Sequence, residues 1–482
     1  MGAALVLLDG ESLTCAGVSA AARGRAVVEI GAAGRERAAA AARVAAEVTS
    51  RRPVYGRTTG VGANRTQQVT GQDATGYGLR LLRSHAGGGG PLIAAELSRA
   101  MLVVRANQIG AGGSGVNPGV LDVLAGAVNQ GLAVPVPSYG AIGTGDLTAL
   151  AETALCLLGE RDWLPAGGAQ PRFPLESADA LGFLSSNAAT IGEAAIACDD
   201  LAGLMRASTV IAAFSHLVVS GSMEPYAEPV GRGAPPGQQA VAARLRALLG
   251  AEVHPSARIQ DPYGYRALPQ VHGAAADRAA QAGTAVCRGL NAAAENPVVD
   301  VAGDTVWHNG NFHTADIGLA LDALRAALFQ TAALSAARLG TLVEPDFTGL
   351  APFLAEGQPP SSGVMILEYV AHAALADIRR LAAPAALGGA VLSRGVEDHA
   401  GFSTQAARAT TDVTGAYRLV LASELVAAVR ALRMRGIRPA GAELAEVLAL
   451  ARAALPADLA DRPLDEDLVV AQELLPGLAG IG

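Results

Sequence analysis

From about residue 185 onward the chain reads as a succession of long helical stretches, 187–220, 237–250, 268–294, 312–341, 363–387, 403–433 and 441–453. The 312–341 run is almost free of helix breakers and is about 45 Å long if helical, at roughly 1.5 Å per residue. A helix of that length must bury an apolar stripe against partners of similar length. The chain is thereby directed to a helical bundle, and a bundle shared between subunits meets the requirement readily. Composition agrees. Hydrophobic residues make up 51% of the 482, a share swollen by Ala, while aromatics are only 4%. Small side chains of this kind let long helices pack closely.

The first part of the chain is less regular. Residues 1 to about 50 read as a short strand pair followed by an Ala-rich helix over 32–49. The run Met1 to Asp9 has no basic n-region and no clear cleavage site, so it is expected to be a first strand and not a signal peptide. A Gly-studded loop, Pro53-Val54-Tyr55-Gly56-Arg57-Thr58-Thr59-Gly60-Val61-Gly62, cannot be regular structure. From Gln72 to Gln130 the apolar spacing predicts helices interrupted at 85–91 and 110–118, and another helix follows over 146–158. The expected architecture is mainly α, with a loop-rich domain over 1–185 and a long-helix bundle over 186–482. No run of about 18 apolar residues escapes a charge or a turn former, so no membrane span is expected. A net charge of −8, without any Lys or basic run, argues against nucleic acid as a partner. Cys15, Cys156, Cys198 and Cys287 lack paired ligand spacing and read as reduced thiols of a cytoplasmic protein.

Several loops gather side chains able to do chemistry. Tyr55 lies in the Gly-studded loop; a phenol near pKa ~10 acts as a base only if positive groups or hydrogen bonds depress it. On pattern alone, Tyr55 caps a loop as readily as it catalyses. In Gln260-Asp261-Pro262-Tyr263-Gly264-Tyr265-Arg266, Pro262 and Gly264 break the chain just before a helix. The planar fork of Arg266 suits a carboxylate, though a surface Arg bridging subunits has the same pattern. Gly143-Thr144-Gly145 forms a third loop, within Val136 to Leu147. Smaller clusters are Ser84-His85-Ala86, Arg105-Ala106-Asn107, Ser114-Gly115-Val116, Asn187, Glu295-Asn296-Pro297, Asn309-Gly310-Asn311-Phe312-His313 and Glu397-Asp398-His399.

In this order, the segments resemble the aromatic amino acid ammonia-lyases and aminomutases, histidine ammonia-lyases most of all. The Tyr55 loop is similar to the family's Tyr-Gly-x-x-Thr-Gly-x-Gly, and the Arg266 segment to its Gln-Asp-x-Tyr-Ser-x-Arg-x-x-Pro-Gln. The resemblance covers nearly the whole chain. It implies a homotetramer of helix-rich subunits whose active sites combine loops of more than one subunit. It further implies Tyr55 as base, Tyr263 as a second catalytic group and Arg266 as carboxylate anchor. Asn187 would hold a carbonyl of the prosthetic group, while His85, Gln260, Phe312 and Glu397 would contact substrate.

In that family an Ala-Ser-Gly tripeptide cyclises, losing two waters, into an electrophilic methylidene-imidazolone. Here the stretch is one residue shorter and reads Gly143-Thr144-Gly145. Dehydrating Thr144 would leave a hindered ethylidene, so no cofactor is expected, although cyclisation stays open. Other departures are Val396 for Gln or Asn, Glu368 for Gln, Tyr265 for an aliphatic residue, and a changed segment before Asn187.

Eliminating an amine needs an electrophile or equivalent activation, a base and an anchor. A C–N lyase or aminomutase acting on an aromatic or imidazole-like amino acid, or a derivative of one, is therefore expected. Two alternatives stay open: acid–base chemistry without the prosthetic group (dehydration, isomerisation or cyclisation), and a non-catalytic ligand-binding homologue. Other leads fail. Gly110 to Gly115 fits a dinucleotide fingerprint only literally, since no strand precedes it. His308 and His313 lack zinc-ligand spacing, so no metal is expected. The fumarase and aspartase signature needs a Lys, which the chain lacks.

Overall fold

The computed structural model describes residues 4–70, 73–250, 256–357 and 360–480. Gln72 and residues 1–3, on which two of the readings above touch, lie outside that set. The first helices are α1 (Cys15–Ala22), α2 (Ala32–Arg51), α3 (Asp73–His85), α4 (Ala95–Gly110), α5 (Val120–Asn129), α6 (Leu147–Leu158) and α7 (Ala180–Leu184). The long ones follow: α8 (Ala188–Val218), α9 (Pro236–Leu249), the single turn α10 (Tyr263–Arg266), α11 (Leu268–Leu290) and α12 (Ala315–Leu342). After them come the short α13 (Pro345–Thr348), α14 (Ile366–Leu381), α15 (Ser403–Met434), α16 (Ala442–Ala454) and α17 (Asp465–Ala479). The protein is mainly α, and the long stretches expected beyond residue 185 are all helical. The last helix, α17, was not foreseen.

Strand structure among the described residues is confined to three two-stranded sheets. β1 (Ala4–Leu8) pairs in parallel with β2 (Ala26–Ile30), with α1 as the connection. Antiparallel pairs are formed by β3 (Gly89–Leu92) with β4 (Pro137–Tyr139), and by β5 (Val298–Asp300) with β6 (Thr305–Trp307).

The chain forms two compact units. The first comprises residues 1–199, 282–321 and 384–411; the second comprises 200–281, 322–383 and 412–482. A single boundary near residue 185 is therefore not what the fold uses. The helical pattern begins there, but α8, α11, α12 and α15 each contribute residues to both units.

In the first unit, Ala38, Ala41, Ala45 and Val48 form the buried face of α2 at three- and four-residue spacing, and Ala41, Ala45 and Val48 pack with Val54, Val299 and Val306. The Arg105–Ala106–Asn107 segment proves to be structural. Arg105 pairs with Glu295 at 2.7 Å with both side chains wholly buried, and Asn107 ties Gly10 to Leu290. Burial pushes the Glu295 carboxyl up, against the pull of Arg105. In the second unit the buried Arg338 guanidinium grips Glu424 with two bonds, at 2.6 and 2.8 Å.

Two helical segments, within 177–218 and in α12, are long and apolar enough to cross a membrane by length and composition. The apolar windows are 72% and 50% buried inside the fold, and α12 carries the buried Arg325 and Arg338.

Candidate active site

The Gly143 loop of the first unit is held from several sides. Gly143 and Gly145 have φ of +85° and +114°, a region that a side chain disfavours. A carbon added to Gly143 would lie 2.5 Å from Ser403 Oγ and 2.7 Å from the Ser403 backbone nitrogen. The loop therefore rests directly on the start of α15. The Phe402 N–H donates to the Ile142 carbonyl at 2.9 Å, and the Gln405 amide to the Ala141 carbonyl at 2.9 Å.

Asn187, wholly buried just ahead of α8, is the hub. Its Oδ1 accepts the Gly145 N–H at 2.8 Å. Its Nδ2 lies 3.5 Å from the Gly143 carbonyl oxygen and 3.1 Å from Thr314 Oγ1, and it also donates to the Phe312 carbonyl. The Thr314 and Ser403 hydroxyls meet at 2.6 Å. The fold thus brings Asn187, Phe312 and the Gly143–Gly145 loop together, with Thr144 half-buried between the two glycines.

Asp146 follows immediately, with its carboxylate fully buried at the start of α6. It accepts the Thr190 N–H at 2.7 Å and the Thr190 hydroxyl at 2.9 Å, and that hydroxyl also meets Thr404 Oγ1 at 2.7 Å. Burial pushes the carboxyl up to about 6, opposed by the bonds from Thr190. Positive helix N-termini at α6 and α8 favour the anion.

Tyr55 is half-buried, and its phenol oxygen accepts the Gly62 N–H at 2.7 Å. Its own N–H donates to His308 Nε2 at 3.2 Å. Burial raises the phenol above its ordinary value, the Glu397 carboxylate adds to the rise, and Gly62 and Arg65 oppose it. That direction is opposite to the depression a resting base requires. The Glu397 segment is joined to the Tyr55 loop through Ser393, whose hydroxyl accepts the Ala63 N–H at 2.9 Å. His313 and His399 share a hydrogen bond of 3.0 Å. His85 ends α3 with local bonds, to the Leu81 carbonyl at 2.9 Å and the Ser84 hydroxyl at 3.2 Å.

The second unit builds the Arg266 turn. Pro262 starts α10; Gln260 and Tyr263 are exposed and Arg266 is half-buried. Beneath them Tyr265 is wholly buried, its hydroxyl 2.6 Å from Thr341 Oγ1 and its carbonyl accepting the Tyr226 hydroxyl at 3.0 Å. Arg338 also donates to the Gly264 carbonyl at 3.2 Å, so the turn is anchored to the buried Arg338–Glu424 pair. The Arg266 guanidinium stacks 4.0 Å from the centre of the Tyr263 ring. Its buried Nε has no hydrogen-bond partner, and no ion pair to Arg266 occurs among the described residues. The turn is tied down through Tyr265 and the Gly264 carbonyl, while the Arg266 guanidinium has no polar partner among the described residues.

Asp146, Thr190, Thr314, Ser403 and Thr404 were not singled out from the sequence. The available signal was modest: Asp, Ser and Thr at helix starts, residue types that favour such positions whether or not a site is nearby.

A family model described as aromatic amino acid lyase matches residues 13–453. The histidine ammonia-lyase of Sorangium cellulosum is 35% identical over 498 residues, covering 97% of each chain. The ergothioneine-degrading ergothionase of Treponema denticola, solved with desmethyl-ergothioneine sulfonic acid, is similar at a TM-score of 0.89 with 25% identity. That match covers 99% of this chain and 100% of the other. Tyrosine aminomutase of Streptomyces globisporus gives a TM-score of 0.90 at 26% identity, over 98% of this chain and 97% of its own. This family depends on a methylidene-imidazolone. Matched over nearly its full length in both sequence and fold, the chain belongs to the aromatic amino acid lyase family.

Proposed function

We propose that this protein is a C–N lyase-type enzyme acting on an aromatic or imidazole-like amino acid, or a derivative of one, and that it works without the methylidene-imidazolone. The uncommitted Arg266 guanidinium carries the first half of this reading. A half-buried cation with an unpartnered Nε, stacked on Tyr263, is suited to a substrate carboxylate.

The Gly143 loop fits the prosthetic group poorly, which supports the second half. Ring closure needs the Gly145 nitrogen on the Gly143 carbonyl carbon, yet that N–H is held by Asn187 Oδ1 at 2.8 Å. Ser403 fills the space that the first residue's methyl would take. Thr144 adds a methyl to the carbon that would become planar.

Without an electrophile, the leaving nitrogen must depart unaided. A quaternary ammonium does so far more readily than a primary amine, so the proposed substrate is an imidazole-bearing α-betaine. Arg266, with Tyr263, holds its carboxylate in the assembled homotetramer, in the cytoplasm. Glu397 attracts the quaternary nitrogen, whose charge cancels the carboxylate's effect on Tyr55 and lowers the phenol toward ionisation. Tyr55 phenolate then takes the β-proton, the C–N bond breaks with its electron pair to nitrogen, and a carbon–carbon double bond forms. Asn187 and the Gly143 loop position the side chain, with Phe312 and His85 against the ring.

Intact mass and turnover test this together. After cleavage at Arg, the expected result is the gene-encoded mass for the fragment 106–161 that carries Thr144, with trimethylamine released from histidine betaine and little ammonia from histidine. A deficit of two waters in that fragment would overturn the cofactor-free reading. Failure to turn over or bind either compound would overturn the substrate class.

A further inference from the structure

Three of the four cysteines, widely separated in sequence, meet in the first unit. Cys15 opens α1, Cys287 lies in the last turn of α11, and Cys198 lies along α8. The Cys15 and Cys287 sulfurs are 3.8 Å apart, and Cys198 is near enough to Cys15 to raise its thiol. Cys156 stands elsewhere, against the Asp162 carbonyl. The approach of Cys15 and Cys287 is built in by Asn291. That side chain accepts the Leu13 N–H at 2.9 Å and donates to the Leu13 carbonyl at 2.9 Å and to the Cys287 carbonyl at 2.8 Å. It thereby fastens the backbone two residues before Cys15 to the turn that carries Cys287. Both thiols are half-buried and Cys198 is buried, so the pair is open to small molecules.

We propose that Cys15 and Cys287 form an oxidation site, joined into a disulfide by a small two-electron thiol oxidant such as hydrogen peroxide while the fold is retained. One thiolate attacks the peroxide, becoming a sulfenic acid as water forms. The second sulfur attacks the first and expels a second water, so two thiols and one peroxide yield one disulfide and two waters. A disulfide needs its sulfurs about 2.05 Å apart. From 3.8 Å the sulfurs have about 1.8 Å left to close, on backbone that Asn291 already ties together. The neighbouring Cys198 and burial raise the Cys15 thiol against an opposing pull from Cys287, while Cys15 and burial raise Cys287, so reaction is slow at neutral pH and quickens as the solution becomes alkaline. The site does not depend on the proposed catalytic reading.

Cleavage after Arg places the four cysteines on separate fragments, 1–23, 106–161, 173–206 and 279–288. Native protein treated with peroxide, then alkylated and digested without reductant, should lose two hydrogens and give fragment 1–23 linked to 279–288. Dithiothreitol should reverse both changes, and Cys15→Ser and Cys287→Ser should each abolish the link. Four alkylated thiols in oxidant-treated protein with unchanged circular dichroism would overturn the proposal. So would a link falling on fragment 106–161 or 173–206, or one joining two chains.

Discussion

Gly143→Ala places a methyl where the start of α15 already stands. The left-handed conformation at φ +85° costs a non-glycine residue about 1–2 kcal/mol. The new carbon would also meet Ser403 Oγ at 2.5 Å and Ser403 N at 2.7 Å, and overpacking of this kind costs about 1–3 kcal/mol. The expected loss is therefore about 2–5 kcal/mol. The Ser403 hydroxyl cannot simply turn away without surrendering its bond to Thr314, and the backbone nitrogen belongs to the first turn of α15. Ser403→Ala in the same background should thus recover less than half of the loss, since it removes only the hydroxyl contact. Urea denaturation of wild type, both single variants and the double variant measures each term. A Gly143→Ala protein as stable as wild type, or one fully rescued by Ser403→Ala, would refute the seating of this loop against α15.

Asp146 should leave a signature in stability against pH. Its folded pKa of about 6, against an ordinary 3.8, makes ionisation cost the fold roughly 3 kcal/mol. Stability from the neutral acid is full below about pH 4 and is lost as pH rises through 6; wild type should fall relative to Asp146→Asn across that window, and parallel curves would contradict it. Arg266→Met should abolish ligand binding or turnover with the oligomer intact; calorimetry showing unchanged binding of a substrate carboxylate would end the anchor assignment. Light scattering should give a homotetramer at micromolar concentration, and a stable monomer there would remove the shared-site architecture.

The long helices were legible because their signal is periodic and repeated over many turns: the 403–433 stretch became Ser403–Met434 and the 268–294 stretch Leu268–Leu290. The loops around Tyr55 and Arg266 were legible as loops because closely spaced Gly and Pro leave few regular alternatives. Proximity was not. Nothing in the spacing of Cys15 and Cys287 announces that Asn291 draws them together, and His313 and His399 meet from loops far apart in sequence. The electrostatic state of Tyr55 was also hidden, because it depends on burial and on Glu397, which no local pattern reports. Boundaries between compact units escaped too, since a change of pattern at residue 185 marks where helices lengthen, not where the chain divides.

Each compact unit is assembled from three separated lengths of chain. Neither can be excised, transplanted or inherited as a cassette, because any single cut that releases one also severs the other. Variation in such a lineage must come from point changes and short insertions or deletions in the loops between helices, with the architecture carried along whole. The one-residue shortening that the resemblance implies around Gly143–Gly145 would be that kind of change, small enough for the helices to tolerate.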